Sequence, residues 1–165
     1  MTAPADLTNM FTALLVREAW LRDRDLFDEW LEFFADNVRY WAPVRQFMER
    51  GEENLHEKYL FCHVDDDLAG LQMRAKRIKG GATFTDEPPA RIRRFVTNVL
   101  VSESTDVTAK VFSNLMIFRS HPGHADAFLT AGREDSWRKI GDRWKIEERM
   151  IVIDKDKLAS YHGLF

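Results

Sequence analysis

The feature that most limits what this chain can become is a change of hydrophobic period part-way along it. Apolar residues recur every three or four positions as far as Ile78, and every second position from Phe95 onward. The first spacing gathers apolar side chains on one face of a helix, and the second on one face of a strand. Helices followed by a run of strands specify an α+β domain, with the helices covering one face of an antiparallel sheet.

The helical part opens on Leu7, Met10, Phe11, Leu14 and Leu15, one stripe that Asp6 is placed to cap. The charged break Arg22-Asp23-Arg24-Asp25 separates it from a second stripe, Leu26, Phe27, Trp30, Leu31 and Phe34, so the two predict an αα-hairpin. Val38 to Val44 is rich in strand formers, and Pro43 predicts that it is not a long central strand. Residues 45–63 have no period and read as a connection. Asp65-Asp66-Asp67 supplies an N-cap and first-turn carboxylates to a third helix, in which Leu68, Leu71, Ala75 and Ile78 share a face. Arg74, Lys76, Arg77 and Lys79 then crowd its last turns before Gly80-Gly81, as the helix dipole favours.

The later strands run from Phe95 to Val101, from Val107 to Phe118, through Phe128 to Ile140, and from Trp144 to Ile153. Ser102 to Asp106, His121-Pro122-Gly123-His124 and Gly141-Asp142 are the turns between them. A single domain spanning 1–165 is expected, since 45% hydrophobic residues in a chain of 165 supply a core without disulfides or a structural metal.

One cysteine, Cys62, excludes an internal disulfide, a zinc ribbon and a cysteine-ligated iron–sulfur centre. The five histidines are scattered, and only His121 and His124 sit close together, flanking a turn. No metal ligand set, catalytic group or bound cofactor is assigned to the chain. With 24 Lys+Arg against 27 Asp+Glu the charge is −3, without the clustered positive excess of a nucleic-acid binder. The N-terminal residues do not read as a signal peptide, and no segment approaches the ~20 apolar residues of a membrane span. A cytoplasmic location without nucleic-acid or membrane partners is the expectation.

Several phrases resemble, in order and spacing, the small β subunits of Rieske-type aromatic-ring-hydroxylating dioxygenases. They are Phe34-Ala35-Asp36-Asn37-Val38-Arg39-Tyr40-Trp41-Ala42-Pro43-Val44, His63-Val64-Asp65-Asp66-Asp67, Asp86-Glu87-Pro88-Pro89-Ala90-Arg91, Arg94-Phe95-Val96-Thr97-Asn98-Val99, and Gly132-Arg133-Glu134-Asp135 with Trp137-Arg138. The resemblance covers nearly the whole chain. It implies a cone-like, nuclear-transport-factor-2-like (NTF2-like) fold, with N-terminal helices packed on a curved antiparallel sheet. It also implies assembly with a large α subunit, as α3β3. That α subunit carries the Rieske [2Fe-2S] cluster, the mononuclear Fe(II) and the substrate pocket, and the β subunit is a structural platform. The complex dihydroxylates an aromatic ring with O2 and NADH-derived electrons, delivered through a reductase and often a ferredoxin. The acidic phrases around Asp65 and Asp86 are closer to subunits serving naphthalene or biphenyl than to those serving benzoate.

An alternative on the same fold is a self-sufficient isomerase or dehydratase working through a pocket carboxylate or histidine, for which Glu18, Tyr40, His63 and Asn98 are the candidates. Glu18 continues the first apolar stripe, so it is either a general acid or base with a raised pKa or a buried or interfacial group satisfied by a neighbouring arginine or backbone amide. Alternation sends Arg91 and Arg93 to one face and Arg94 to the other, and ion pairing of these arginines with Glu134 or Asp135 of a neighbour or with the partner chain is one reading, plain surface charge the other. Five Trp and 12 Phe exceed what one small core holds comfortably, so some aromatics are expected at contacts. The subunit-interface candidates are Trp41, Arg91, Arg94, Trp137 and the apolar tail residues Leu164 and Phe165.

Overall fold

A computed structural model describes residues 5–44, 62–80 and 89–155. Helix α1 (Ala5–Arg22) is followed by the single-turn α2 (Phe27–Leu31), strand β1 (Phe34–Pro43), β2 (Cys62–Asp66) and helix α3 (Leu68–Lys79). Four long strands complete the chain: β3 (Arg91–Ser104), β4 (Thr108–Ser120), β5 (Ala127–Ile140) and β6 (Arg143–Ile153). All six strands form one sheet in the order β2-β1-β6-β5-β4-β3.

The four strands of the meander fall where the alternation predicts them, but β3 is longer at both ends, so Ser102 to Ser104, read as turn, belong to the strand. Ile140 pairs with Arg143, so Gly141-Asp142 is a two-residue hairpin, and Gly141 takes the positive φ (60°) that such a turn requires. The first half differs in three respects. The second apolar stripe is one turn of helix, not a second arm: Phe34 leaves it to open β1, which is parallel to β6 and set between β6 and β2. Pro43 sits at the end of β1, where its missing N–H interrupts nothing central, so the strand reaches ten residues despite it. Cys62–Asp66, read from sequence as connection and cap, pairs with β1 as an edge strand. Of the three aspartates only Asp67 caps α3, accepting from the Gly70 amide at 2.8 Å, whereas Asp65 and Asp66 bind Arg39 and Arg74.

Bulges break the register in β1, β3 and β5–β6, and one places Asn98 at φ 53°. Such insertions add twist and curve a sheet. The concave face holds the core, where Phe11 of α1 lies 5.3 Å from the Trp137 ring and 5.2 Å from Trp144. Trp30 packs on Phe34 at 4.8 Å. Trp137, an interface candidate by sequence, is only 1% exposed and belongs to this core.

Candidate functional site

Inside the concave face the apolar packing is interrupted by charge. Val111, Asp135, Arg149 and Tyr40 are register neighbours across β4, β5, β6 and β1, which sets their side chains in one inward row. Ser113, Arg133 and Ile151 form the next row. Alternation from Ile146 would turn Arg149 outward, but the bulge at Glu147, opposite the Ser136/Trp137 step, brings it back to the core side. Above these rows α1 carries Phe11, Leu15 and Glu18 on its buried stripe.

The rows and the helix share one buried network of charge, in which Glu18 Oε2 and the Nε and Nη2 of Arg133 have no hydrogen-bond partner. Arg149 grips Asp135 with Nε and Nη2 at 2.7 and 2.9 Å, and donates through Nη1 to Glu18 Oε1 at 2.7 Å. The Trp30 indole donates to the same Glu18 oxygen at 2.9 Å. Arg133 Nη1 lies 3.3 Å from Glu18 Oε2. Arg149 is 0% exposed and Glu18 4%. Arg22 stacks its guanidinium 4.6 Å from the Trp30 ring centre. Burial alone would raise the Glu18 pKa, but the guanidiniums of Arg149 and Arg133, with hydrogen bonds from Arg149 and Trp30, outweigh it and bring the pKa down to about 2. For Arg149 burial works against the charge, and the Asp135 and Glu18 carboxylates reverse that, so its pKa stands well above the ordinary value. Burial raises the Tyr40 hydroxyl.

Of the residues considered for an enzyme, the fold brings together only Glu18 and Tyr40. His63 is exposed on β2, and Asn98 is exposed at the β3 bulge. The carboxyl of Glu18 is ion-paired with two arginines, and its pKa is lowered and not raised. A cleft of about 590 Å³ opens between α1, α2 and the β5–β6 turn, lined by residues including Met10, Leu14, Phe33 and Trp144, and neither Glu18 nor Tyr40 lines it. Among the described residues no group of three or more His, Cys, Asp or Glu could hold a metal ion. Nor is any helix long and apolar enough to cross a membrane.

The depressed pKa has a measurable consequence. A carboxyl that titrates lower in the folded chain than its ordinary 4.5 supports the fold above that pH, and the support is lost as pH falls toward about 2. The wild-type chain is therefore expected to lose about 3 kcal/mol more unfolding free energy than Glu18→Gln between pH 5 and pH 2. Urea unfolding of both chains across that range checks it, and parallel pH profiles would contradict the pairing.

The interface candidates fall in different places. Arg94 turns inward and pairs with Asp23 of its own chain at 3.0 Å, both side chains being buried. It is thus engaged within this chain, and Asp135 is held by Arg149. Trp41 lies on the face away from the core, buried, with its Nε1 on Glu148 at 3.2 Å and the Arg39 guanidinium 4.3 Å from its ring. Arg91 is exposed. Leu164 and Phe165 lie outside the described residues, as do His56 and His162. His121 is buried, its ring 4.9 Å from that of His124.

The outer face of the sheet shows what the sequence did not single out. Arg93, Phe118 and Phe128 form one register row and Phe95, Met116 and Thr130 the next. Phe95 is 43% exposed and Phe128 54%, and the Phe118 and Phe128 rings stand 5.0 Å apart. Exposed apolar residues that adjoin in this way form a candidate contact surface.

Compared with known proteins, residues 17–160 match the model of a family described as ring hydroxylating beta subunit. The chain belongs to that family. As a β subunit it is 29% identical over 164 residues to the small oxygenase component of a naphthalene 1,2-dioxygenase system from a Ralstonia species, covering 97% of this chain and 84% of that one. It is 28% identical over 159 residues to the β subunit of an N,N-dimethyl phenylurea N-demethylase from Sphingobium sp. strain YBL2, covering 94% and 89%. A chain in a solved structure of naphthalene 1,2-dioxygenase with indole in its active site superposes with a TM-score of 0.85 at 23% identity, over 99% of this β subunit and 87% of that chain. The fold is therefore the cone-like, NTF2-like one of dioxygenase β subunits, with one parallel strand pair within the curved, largely antiparallel sheet.

Proposed function

We propose that this β subunit performs no chemistry itself and holds large oxygenase subunits in an α3β3 assembly. The observation that carries this reading is the state of Glu18. A carboxylate fixed by two arginines and an indole, with a pKa near 2, is a poor proton acceptor near neutral pH, where a general base works best with a pKa close to the working pH. The only other candidate in the interior, Tyr40, has its hydroxyl pushed further from neutrality by burial. The fold alone does not choose between platform and enzyme, and the spent carboxylate favours the platform.

In this reading the Rieske cluster and the mononuclear iron belong to the large subunit, and electrons reach the complex from NADH through a reductase and ferredoxin in the cytoplasm. The substrate is an aromatic hydrocarbon, a choice supported by the naphthalene relative, while the phenylurea relative shows how far substrates range among similar subunits. The outer sheet face around Phe95, Phe118 and Phe128, with exposed Arg91 and Arg93 at one end, is the docking surface for the large subunit. Its complement presents apolar residues with an acidic rim.

The test is to assay the full-length chain by itself and after co-purification with its large subunit. Oxygen- and electron-dependent ring hydroxylation only in the iron-containing complex, unchanged within about twofold when an assembled Glu18→Gln subunit is used, is the expected result. Isomerase or dehydratase turnover by the chain alone, lost in Glu18→Gln, would overturn the proposal.

A further inference from the structure

The buried network leaves one strong donor edge unused. Arg133 has a side chain only 4% exposed, and its Nη1 reaches Glu18, yet its Nε and Nη2 have no hydrogen-bond acceptor. Nη2 stands 3.6 Å from Asp135 Oδ2, whose carboxylate is already held from the other side by Arg149. Directly across the strand pair, the buried Ser113 hydroxyl is likewise without a partner. Leaving guanidinium N–H groups dry and unpaired is costly, because a charged donor loses its hydration and gains nothing in return.

The neighbouring arginine shows what that edge is built to hold. Nε and Nη2 form the fork with which Arg149 grips Asp135 in two parallel bonds. Arg133 offers the same fork, unfilled, one register row away. We propose that the Nε/Nη2 edge of Arg133, together with the Ser113 hydroxyl, is a binding site for a small planar carboxylate of formate or acetate size. Two N–H donors plus one hydroxyl suit the two oxygens of a carboxylate. The site binds without reacting, so it is independent of whether the chain is a platform or an enzyme.

Sodium formate is the probe, with sodium chloride at equal ionic strength as reference. The full-length chain is expected to show a saturable rise in unfolding temperature with formate beyond that with chloride. Crystals grown with formate should show it bidentate on Arg133 and within about 3 Å of Ser113 Oγ. Arg133→Lys, which keeps the charge but loses the fork, abolishes the saturable response. Should that variant fail to fold, Ser113→Ala removes one contact with little change of volume and is expected to weaken apparent formate affinity about tenfold. Water on both nitrogens in saturating formate, a response equal to that with chloride, formate bound only at crystallisation concentration, or an unchanged affinity in Ser113→Ala each overturns the proposal.

Discussion

Arg149→Met is expected to destabilise the β subunit by about 3–5 kcal/mol, enough to unfold many domains of this size. Arg149 is fully buried and its three donor nitrogens hold both Asp135 and Glu18. Removing it leaves two buried carboxylates with the longer contacts of Arg133 and, for Glu18, the Trp30 indole to balance them. The cost is that of stranded charge and not of a lost attraction. Replacing Glu18 and Asp135 by Leu and Arg133 and Arg149 by Met together is therefore expected to cost less than Arg149→Met alone, because neither carboxylate is then stranded. Urea unfolding of both variants decides the matter, and a single-variant loss below about 1 kcal/mol would show that the network does not hold α1 to the sheet.

The second large effect concerns assembly. Phe95→Asp combined with Phe128→Asp places two charges in the centre of the exposed apolar rows of β3–β5. Neither side chain supports the core, so circular dichroism and the unfolding midpoint of the isolated chain should change little. Binding to the large subunit should fall at least a hundredfold, since desolvating a carboxylate without a partner at an interface centre costs several kcal/mol. Co-purification and sizing of the complex measure it. Retention of the full assembly would move the contact elsewhere. Loss of contacts between copies of this chain, with large-subunit binding intact, would assign the face to β–β packing.

How much of this was legible in the residues varies with the physics that sets each feature. The long strands follow from alternation because inward positions such as Val111, Leu115, Ile117 and Ile151 are buried, those of β3 being half-buried apart from Val101. Helix α3 follows from its charge asymmetry and its cap. Strand β2 was not legible, since five residues at a sheet edge carry too little pattern and are selected by pairing with β1. Glu18 was marked by its place on an apolar stripe. Its partner Arg149 was hidden, because the Glu147 bulge shifts the parity on which the reading depends. Trp137 and Arg94 looked like contact residues by type, but a side chain's type does not say which face its strand turns inward.

The order of periods, the single cysteine and the family phrases belong to the sequence alone, and together they determined an α+β β subunit without a cysteine-bound cluster of its own. Periodicity is a local property, readable wherever a segment's own geometry sorts apolar from polar. Which charges meet inside the cone, that Glu18 is held ionised, and that aromatics of β3–β5 stand exposed were decided only by tertiary structure. Those outcomes depend on strand register and on bulges that relate residues more than a hundred positions apart, such as Glu18 and Arg149, and no local pattern encodes such a distance.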